Sequence, residues 1–263
     1  MSSMRRPVAA GPLWGLAGIF LVLLILEVVP RSGIVNPAHL PPTTAIIGSL
    51  VARVQTATFW VALGKTLVTW MSGIALAVGL ATVIGFLIGT NRFLRRYTAS
   101  TVEFLRPIPS VALIPIAVLL YGTSRASTLL LVVYAAFWQM FVQVMQGIRD
   151  VDPVAVDTTR VFKARWLSVA WRLYLPTILP AALVGFRLSA SIAIILTITG
   201  EMIIGTPGLG NLITVAQASG ATASMYALIV VAGTLGVLVN FGTRLLEKRL
   251  LFWHSSVRKE VHS

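Results

Sequence analysis

The sequence predicts an all-α fold: a polytopic helical membrane protein of about six transmembrane helices, with a cytoplasmic loop between spans four and five. Three observations carry this. The chain of 263 residues is 57% hydrophobic and only 11% charged, with mean hydropathy +0.88, where a soluble domain carries roughly 25% charged residues. Several segments exceed about 18 apolar residues, the length that crosses a hydrocarbon core of roughly 30 Å. The cations sit in short connecting segments between those runs. A single transmembrane domain over residues 1–263 is expected, with residues 149–176 as its cytoplasmic loop.

Composition also removes function classes. The net charge is +13, from 21 Lys+Arg against 8 Asp+Glu. In a soluble protein that balance points to nucleic acid, but no aromatic-interleaved basic patch is present, so nucleic acid is not an expected partner. The positive-inside bias accounts for the charge instead. With no Cys, disulfides, thiol nucleophiles and Cys-ligated metals are excluded. His39, His254 and His262 lie far apart, so neither a metal site nor a cofactor is expected.

Arg5 and Arg6 precede an apolar run from Leu13 to Val29 with no small-x-small cleavage site after it, so it reads as an uncleaved first span with Glu27 near the far interface. Thr43 to Thr58 is weakly amphipathic and suits the outer surface. Span two runs from Trp60 to Thr90, where Gly73, Gly79, Gly85 and Gly89 offer notches for a neighbouring backbone. Asn91 to Tyr97 is expected to be a short inside loop. Span three follows from Glu103 to about Gly122, weakened or kinked by Pro107, Pro109 and Pro115. Broken helices at membrane depth line cavities or pack against neighbours, and both readings stand for Pro107 and Pro109.

Span four covers Ala126 to Ile148. Its Gln139, Gln143 and Gln146 share one helical face, which suits interhelical hydrogen bonding or a solvated path. Span five covers about Ile178 to Ile204 and holds Arg187 and Glu201. An outer loop with Gly205, Gly208 and Gly210 leads to a short surface or re-entrant helix ending near Ser219, and span six covers Thr222 to Thr243. With both termini cytoplasmic, Arg5, Arg6, Arg92, Arg95, Arg96, Arg149, Arg160, Lys163, Arg165, Arg172 and the tail cations fall inside. Arg31, Arg53, Lys65 and Arg125 fall outside.

Within the loop, Asp152 followed by Pro153 is a helix-start signal, an N-cap acceptor before proline at the first helical position. Ala155, Thr159, Phe162, Trp166 and Val169 recur at helical spacing, with Asp157, Arg160 and Lys163 on a polar side. This describes one or two short surface helices, either a connector or a face for a partner.

The stretch resembles the cytoplasmic "EAA" loop of the permease subunits of ATP-binding-cassette importers. In that loop Glu-Ala-Ala precedes a Gly four residues on, and the loop then runs to Ile-x-Leu-Pro. In register stand Asp157-Thr158-Thr159, Lys163 and Leu173-Tyr174-Leu175-Pro176. Arg106-Pro107-Ile108-Pro109, Gly200-Glu201-Met202 and the Gly208-Leu209-Gly210 turn also look like that family, and the nearest branch handles sulfonates, taurine, nitrate or bicarbonate. The resemblance implies a permease forming half of a pathway for a small anionic solute. It implies partnership with a cytoplasmic ATPase dimer, a second permease copy, an extracytoplasmic substrate-binding protein and the bilayer of a bacterial cytoplasmic membrane. ATP hydrolysis is then expected on the separate subunit, and this chain is expected to catalyse nothing. It places Asp157, Thr158, Thr159, Arg160, Phe162, Lys163 and Ala164 at the ATPase contact as coupling helices, with Leu175 and Pro176 ending the loop. Asp in place of Glu keeps the charge at shorter reach. Lys163 stands where the family has Gly, so either the helix continues through it or the turn is strained.

Gly64-Lys65-Thr66 resembles the end of a phosphate-binding glycine loop, but Phe59 occupies the position of its first Gly, so ATP binding by this chain is not expected. Arg187 and Glu201 are pathway candidates as intramembrane charges, although about four turns at 3.6 residues each prevent a direct pair on one straight helix. Arg187 can also snorkel inward, and Glu201 can gate the mouth or anchor the glycine loop. A self-sufficient secondary transporter or channel is the alternative. It would want coupling carboxylates near mid-membrane, and inverted-repeat halves are not evident. An intramembrane enzyme lacks a nucleophile–base pair.

Overall fold

The computed structural model describes residues 11–36 and 38–251. Arg5 and Arg6 before the first span, and His254, Arg258, Lys259 and His262 in the tail, lie outside them. The regular structure of the described residues is entirely helical: α1 (Gly11–Arg31), α2 (Thr43–Val54), α3 (Ala57–Thr90), α4 (Arg92–Leu105), α5 (Ile114–Tyr121), α6 (Arg125–Arg149), α7 (Pro153–Val161), α8 (Trp166–Val169), α9 (Leu175–Ile204), α10 (Leu209–Ala218) and α11 (Thr222–Leu250). A 3-10 turn, Ser110–Leu113, precedes α5, and a π-helical turn, Ala170–Tyr174, joins α8 to α9. Among the described residues α3, α6, the run Trp166–Ile204 and α11 are each long and apolar enough to cross a bilayer. Arg92–Leu105 with Ser110–Tyr121, bent by 85°, makes a fifth span if counted as one. Helix α1 adds 21 residues of mostly apolar sequence.

Packing divides the chain into two units, Met1–Trp60 with Leu212–Val231, and Val61–Asn211 with Ala232–Ser263. In the first, Glu27 is ion-paired with Arg31 and accepts 3.0 Å hydrogen bonds from the Thr44 amide and hydroxyl, which ties the end of α1 to the start of α2. Arg53 donates to the Ser224 hydroxyl at 2.7 Å.

The second unit is built on α6 and α9. Lipid is as apolar as a leucine side chain, so helices in a bilayer associate through close packing rather than hydrophobic expulsion. Here small residues permit that approach. A Cβ on Gly147 would lie 3.0 Å from the Ile178 Cα, one on Gly185 2.8 Å from the Gln143 Cβ, and one on Gly200 2.9 Å from the Thr128 methyl. Leu131, Val132, Ala136, Ala190 and Ala193 are fully buried between these helices and their neighbours. On α3, Gly73, Gly85 and Gly89 meet Val132, Val144 and Ile148 of α6, whereas Gly79 faces open space. Leu80, Val83, Ile195 and Phe241 remain exposed, as an outer face in hydrocarbon requires.

Two local expectations are corrected, and the weakening of span three by its prolines is borne out as a break. Asn91 to Tyr97 is not a loop: the Asn91 carboxamide oxygen accepts from the Phe93 and Leu94 amides and starts α4, an amphipathic helix. Span three is not one helix, since the chain turns through Arg106–Pro109 where the prolines remove donors. Leu175 and Pro176 do not end the loop but lie within a helical run of 39 residues, Trp166–Ile204. The π turn makes room: the Leu175 amide bonds to the Ala170 carbonyl, one residue further back than in an α-helix, just where proline cannot donate.

Candidate functional site

The loop between α6 and α9 folds from its caps inward. Asp152 Oδ1 accepts from the Val154 amide at 2.8 Å and Pro153 occupies the first turn. Helix α7 then ends in a Schellman arrangement, with the Ala164 amide bonded to the Thr159 carbonyl at 2.9 Å and the Lys163 amide to the Arg160 carbonyl at 3.0 Å. This motif needs a left-handed residue after the C-cap, and Lys163 supplies it at φ 49, the only non-glycine positive φ among the described residues. The helix therefore stops at this point and the turn is strained. The Gly of the resembling loop falls on the one position whose backbone favours it.

The structure brings Asp157, Thr158, Thr159, Arg160, Phe162, Lys163 and Ala164 together on one short hairpin. No residue of α7 is buried. Val161 and Phe162 are each 79% exposed. Asp157 and Arg160 form a surface ion pair at 3.0 Å, a pair of small energetic value. Thr158 and Thr159 turn their hydroxyls back onto the carbonyls of Val154 and Val156. Leu175 and Pro176 lie beyond the π turn, both exposed.

The hairpin is mounted firmly. Trp166 and Tyr174 contact Phe86 of α3 at ring-centroid distances of 6.0 and 5.7 Å, and contact each other at 6.0 Å. Val169 and Tyr174 are buried in a cluster with Met145, Ile148, Val151 and Ile178. An aromatic clamp thus fixes the return strand of the hairpin to α3 and α6, while α7 stays uncovered.

At the other end of α9, Glu201 is 1% exposed. Its Oε2 accepts from the Thr66 hydroxyl at 2.9 Å and from the Gly210 amide at 3.0 Å, and the Thr66 oxygen accepts from the Leu209 amide at 2.9 Å. The carboxyl group thereby caps the first amides of α10, directly at Gly210 and through Thr66 at Leu209. Oε1 has no hydrogen-bond partner among the described residues. The glycine turn wraps this group closely, since a Cβ on Gly208 would overlap the Glu201 carboxyl carbon at 2.1 Å and one on Gly210 would meet the Ile198 carbonyl at 2.2 Å. Thr66, the residue that ends the apparent phosphate-loop motif, is part of this anchor.

The remaining candidates are dispersed. Arg187 donates to Glu247 of α11 at 3.1 Å. Sequence reasoning missed this partner because span six was ended at Thr243, although no helix breaker follows before Leu250. Gln139 and Gln146 are exposed and Gln143 packs against Gly185, so the glutamine face does not point into this chain's own core. Pro107 and Pro109 are exposed at the break before α5, where Pro107 lines a cavity of about 720 Å³.

Two outcomes follow from this geometry. Lys163→Gly relieves the left-handed strain and raises unfolding stability in detergent by about 1 kcal/mol. Glu201→Ala removes the acceptor shared by the Thr66 hydroxyl and the Gly210 amide and lowers stability by about 2 kcal/mol in the same melt, whereas Glu201→Gln keeps an acceptor and loses less.

Comparison with known proteins places this architecture. The family profile described as "binding-protein-dependent transport system inner membrane component" matches residues 77–252. The chain is 29% identical to the aliphatic sulfonates transport permease protein SsuC of Bacillus subtilis, over 90% of this chain and 86% of that protein. It is 26% identical to the taurine transport system permease protein TauC of Escherichia coli, over 97% and 94%. A solved structure of the MetNI methionine ABC transporter, inward facing, shares the fold at TM-score 0.63 and 17% identity, covering 73% of this chain and 95% of that one. The chain therefore belongs to the binding-protein-dependent transport system inner membrane component family, as a multi-pass permease subunit of an ATP-binding-cassette importer.

Proposed function

We propose that this permease couples to a separate cytoplasmic ATPase through α7 and the turn that follows it, and that the cargo is a small organic anion of the sulfonate kind. The observation that carries the coupling reading is the exposed α7 hairpin on its aromatic mount. An uncovered Val161–Phe162 tip beside Asp157 and Arg160 suits a groove in a partner, and a rigid mount lets force pass inward rather than being lost in loop motion. The strained turn at Lys163 fixes the angle at which the tip is presented.

Two copies of this chain would complete the pathway. The uncovered Gln139 on α6 and the exposed Pro109 of the broken segment suit surfaces that meet the second copy or the solute. The cation distribution supports a cytoplasmic side for α7 and both termini, which would leave the Glu201 anchor near the outer mouth, where a substrate-binding protein would deliver cargo. The cargo class rests on the relatives named for sulfonates and taurine.

The test is co-purification with a candidate ATPase subunit, followed by uptake in proteoliposomes. Asp157→Lys and Phe162→Ala are expected to lower ATPase recovery and ATP-driven uptake at least tenfold, as loss of a buried aromatic anchor costing about 2 kcal/mol or more would. Assembly and uptake at wild-type levels in both variants would refute the coupling role. An alkyl sulfonate or taurine, each carrying a sulfonate group, should drive the uptake signal, and a solute with no anionic group should not.

A further inference from the structure

A cavity of about 720 Å³ opens among α3, α4 and α6, away from the Glu201 anchor and reaching Arg149 at the start of the loop that carries the hairpin. Arg95, Arg106 and Arg149 line it, accompanied by a single acid, Glu103. None of the three guanidinium groups has a hydrogen-bond or ion-pair partner among the described residues. The rest of the lining is mostly apolar, with Ile88, Phe141, Val142 and Met145 as its floor and Thr98 and Gln146 as its uncharged polar side chains. Two of these surfaces want opposite things: the arginines want an anion, and the floor wants hydrocarbon. A hydrated inorganic anion satisfies only the first.

Helix α4 supplies the second line of support. It has no buried residue, and Phe93, Tyr97 and Phe104 are 63%, 69% and 72% exposed beside Arg92, Arg95 and Arg96. A cationic amphipathic helix with uncovered aromatics is the chemistry of a helix lying at the headgroup level of a bilayer. The 85° bend to Ser110–Tyr121 fits that placement, because a segment entering the membrane leaves α4 running along its surface.

We propose that this cavity binds an anionic phospholipid of the inner leaflet, its phosphate held by Arg95, Arg106 and Arg149 and its upper acyl chain laid on Ile88, Phe141, Val142 and Met145. The inner-leaflet assignment rests on the cytoplasmic placement proposed above. Basic pockets between membrane helices take such headgroups, at about 1 kcal/mol per basic side chain. The bound lipid joins α4 to the ends of α3 and α6, the same helices that carry the aromatic clamp.

The test exchanges the purified full chain into mixed micelles holding equal phosphatidylglycerol and phosphatidylcholine, and reads retained lipid by native mass spectrometry. Phosphatidylglycerol is expected to be retained preferentially. Arg106→Gln and Arg149→Gln should each weaken retention about fivefold, while Arg96→Gln, outside the cavity lining, should not. Added sulfate or methanesulfonate is expected not to displace the lipid; displacement would mark the cavity as a free-anion site and overturn the proposal. Equal retention of both lipids, or unchanged retention in both variants, would overturn it too. A phosphatidylglycerol with a photoreactive acyl chain, presented to the wild-type protein in vesicles with phosphatidylcholine, should label the Phe141–Met145 segment. Absence of label there would show the cavity covered by a second copy or another subunit, which also overturns it. ATPase recovery, measured on the same variants, reports the coupling reading separately.

Discussion

The close approach of α6 and α9 is the contact on which the rest of the structure depends. Gly147, Gly185 and Gly200 let the two backbones meet where larger side chains would hold them apart, and in hydrocarbon such packing replaces the hydrophobic drive that builds a soluble core. Everything of functional interest hangs from the two ends of this pair. At one end Met145 and Ile148 of α6 hold Val169 and Tyr174 below the hairpin. At the other, Thr128 of α6 touches both Gly200 and the Thr206 hydroxyl of the glycine turn.

The two ends are also joined along the chain. Trp166–Ile204 is one helical run of 39 residues, roughly 58 Å at 1.5 Å per residue. It leaves the strained turn at Lys163, passes the aromatic clamp and the π turn before Pro176, and finishes three residues past Glu201. A push on α7 therefore has a direct mechanical route to the loop that Glu201 holds. The buried carboxyl group keeps the turn on the helix end, and Gly208 and Gly210 are the residues that let the turn sit that close.

Most of the architecture was legible because bilayers demand long apolar runs, and Trp60–Thr90 and Ala126–Ile148 match α3 and α6 within a few residues. The start of α7 was legible because Asp152–Pro153 is a local capping signal. Once its place in the motif was recognised, Lys163 was legible as a choice between a continued helix and a strained turn, and its backbone takes the strained turn. Other features depend on tertiary context that no local rule carries. Pro176 reads as the end of the loop before span five, yet packing of Tyr174 and Ile178 keeps one helix running through it and a π turn absorbs the misfit. Arg92, Arg95 and Arg96 read as loop charges when they are one side of α4. The glutamine periodicity gives a face but not what it faces. The pairing of Arg187 with Glu247 joins residues far apart in the chain.

The rigid link between hairpin and glycine turn is open to one direct measurement. Spin labels at the exposed positions Val161 and Ile203, on labelled chains diluted into unlabelled ones, report the distance within a single chain of the assembled transporter. If α7 is fixed to one continuous helix, that distance stays the same when ATP binds to the ATPase subunit proposed as its partner. A change approaching one helical turn, about 5.4 Å, would show that the clamp or the π turn gives way, and would contradict transmission along this helix.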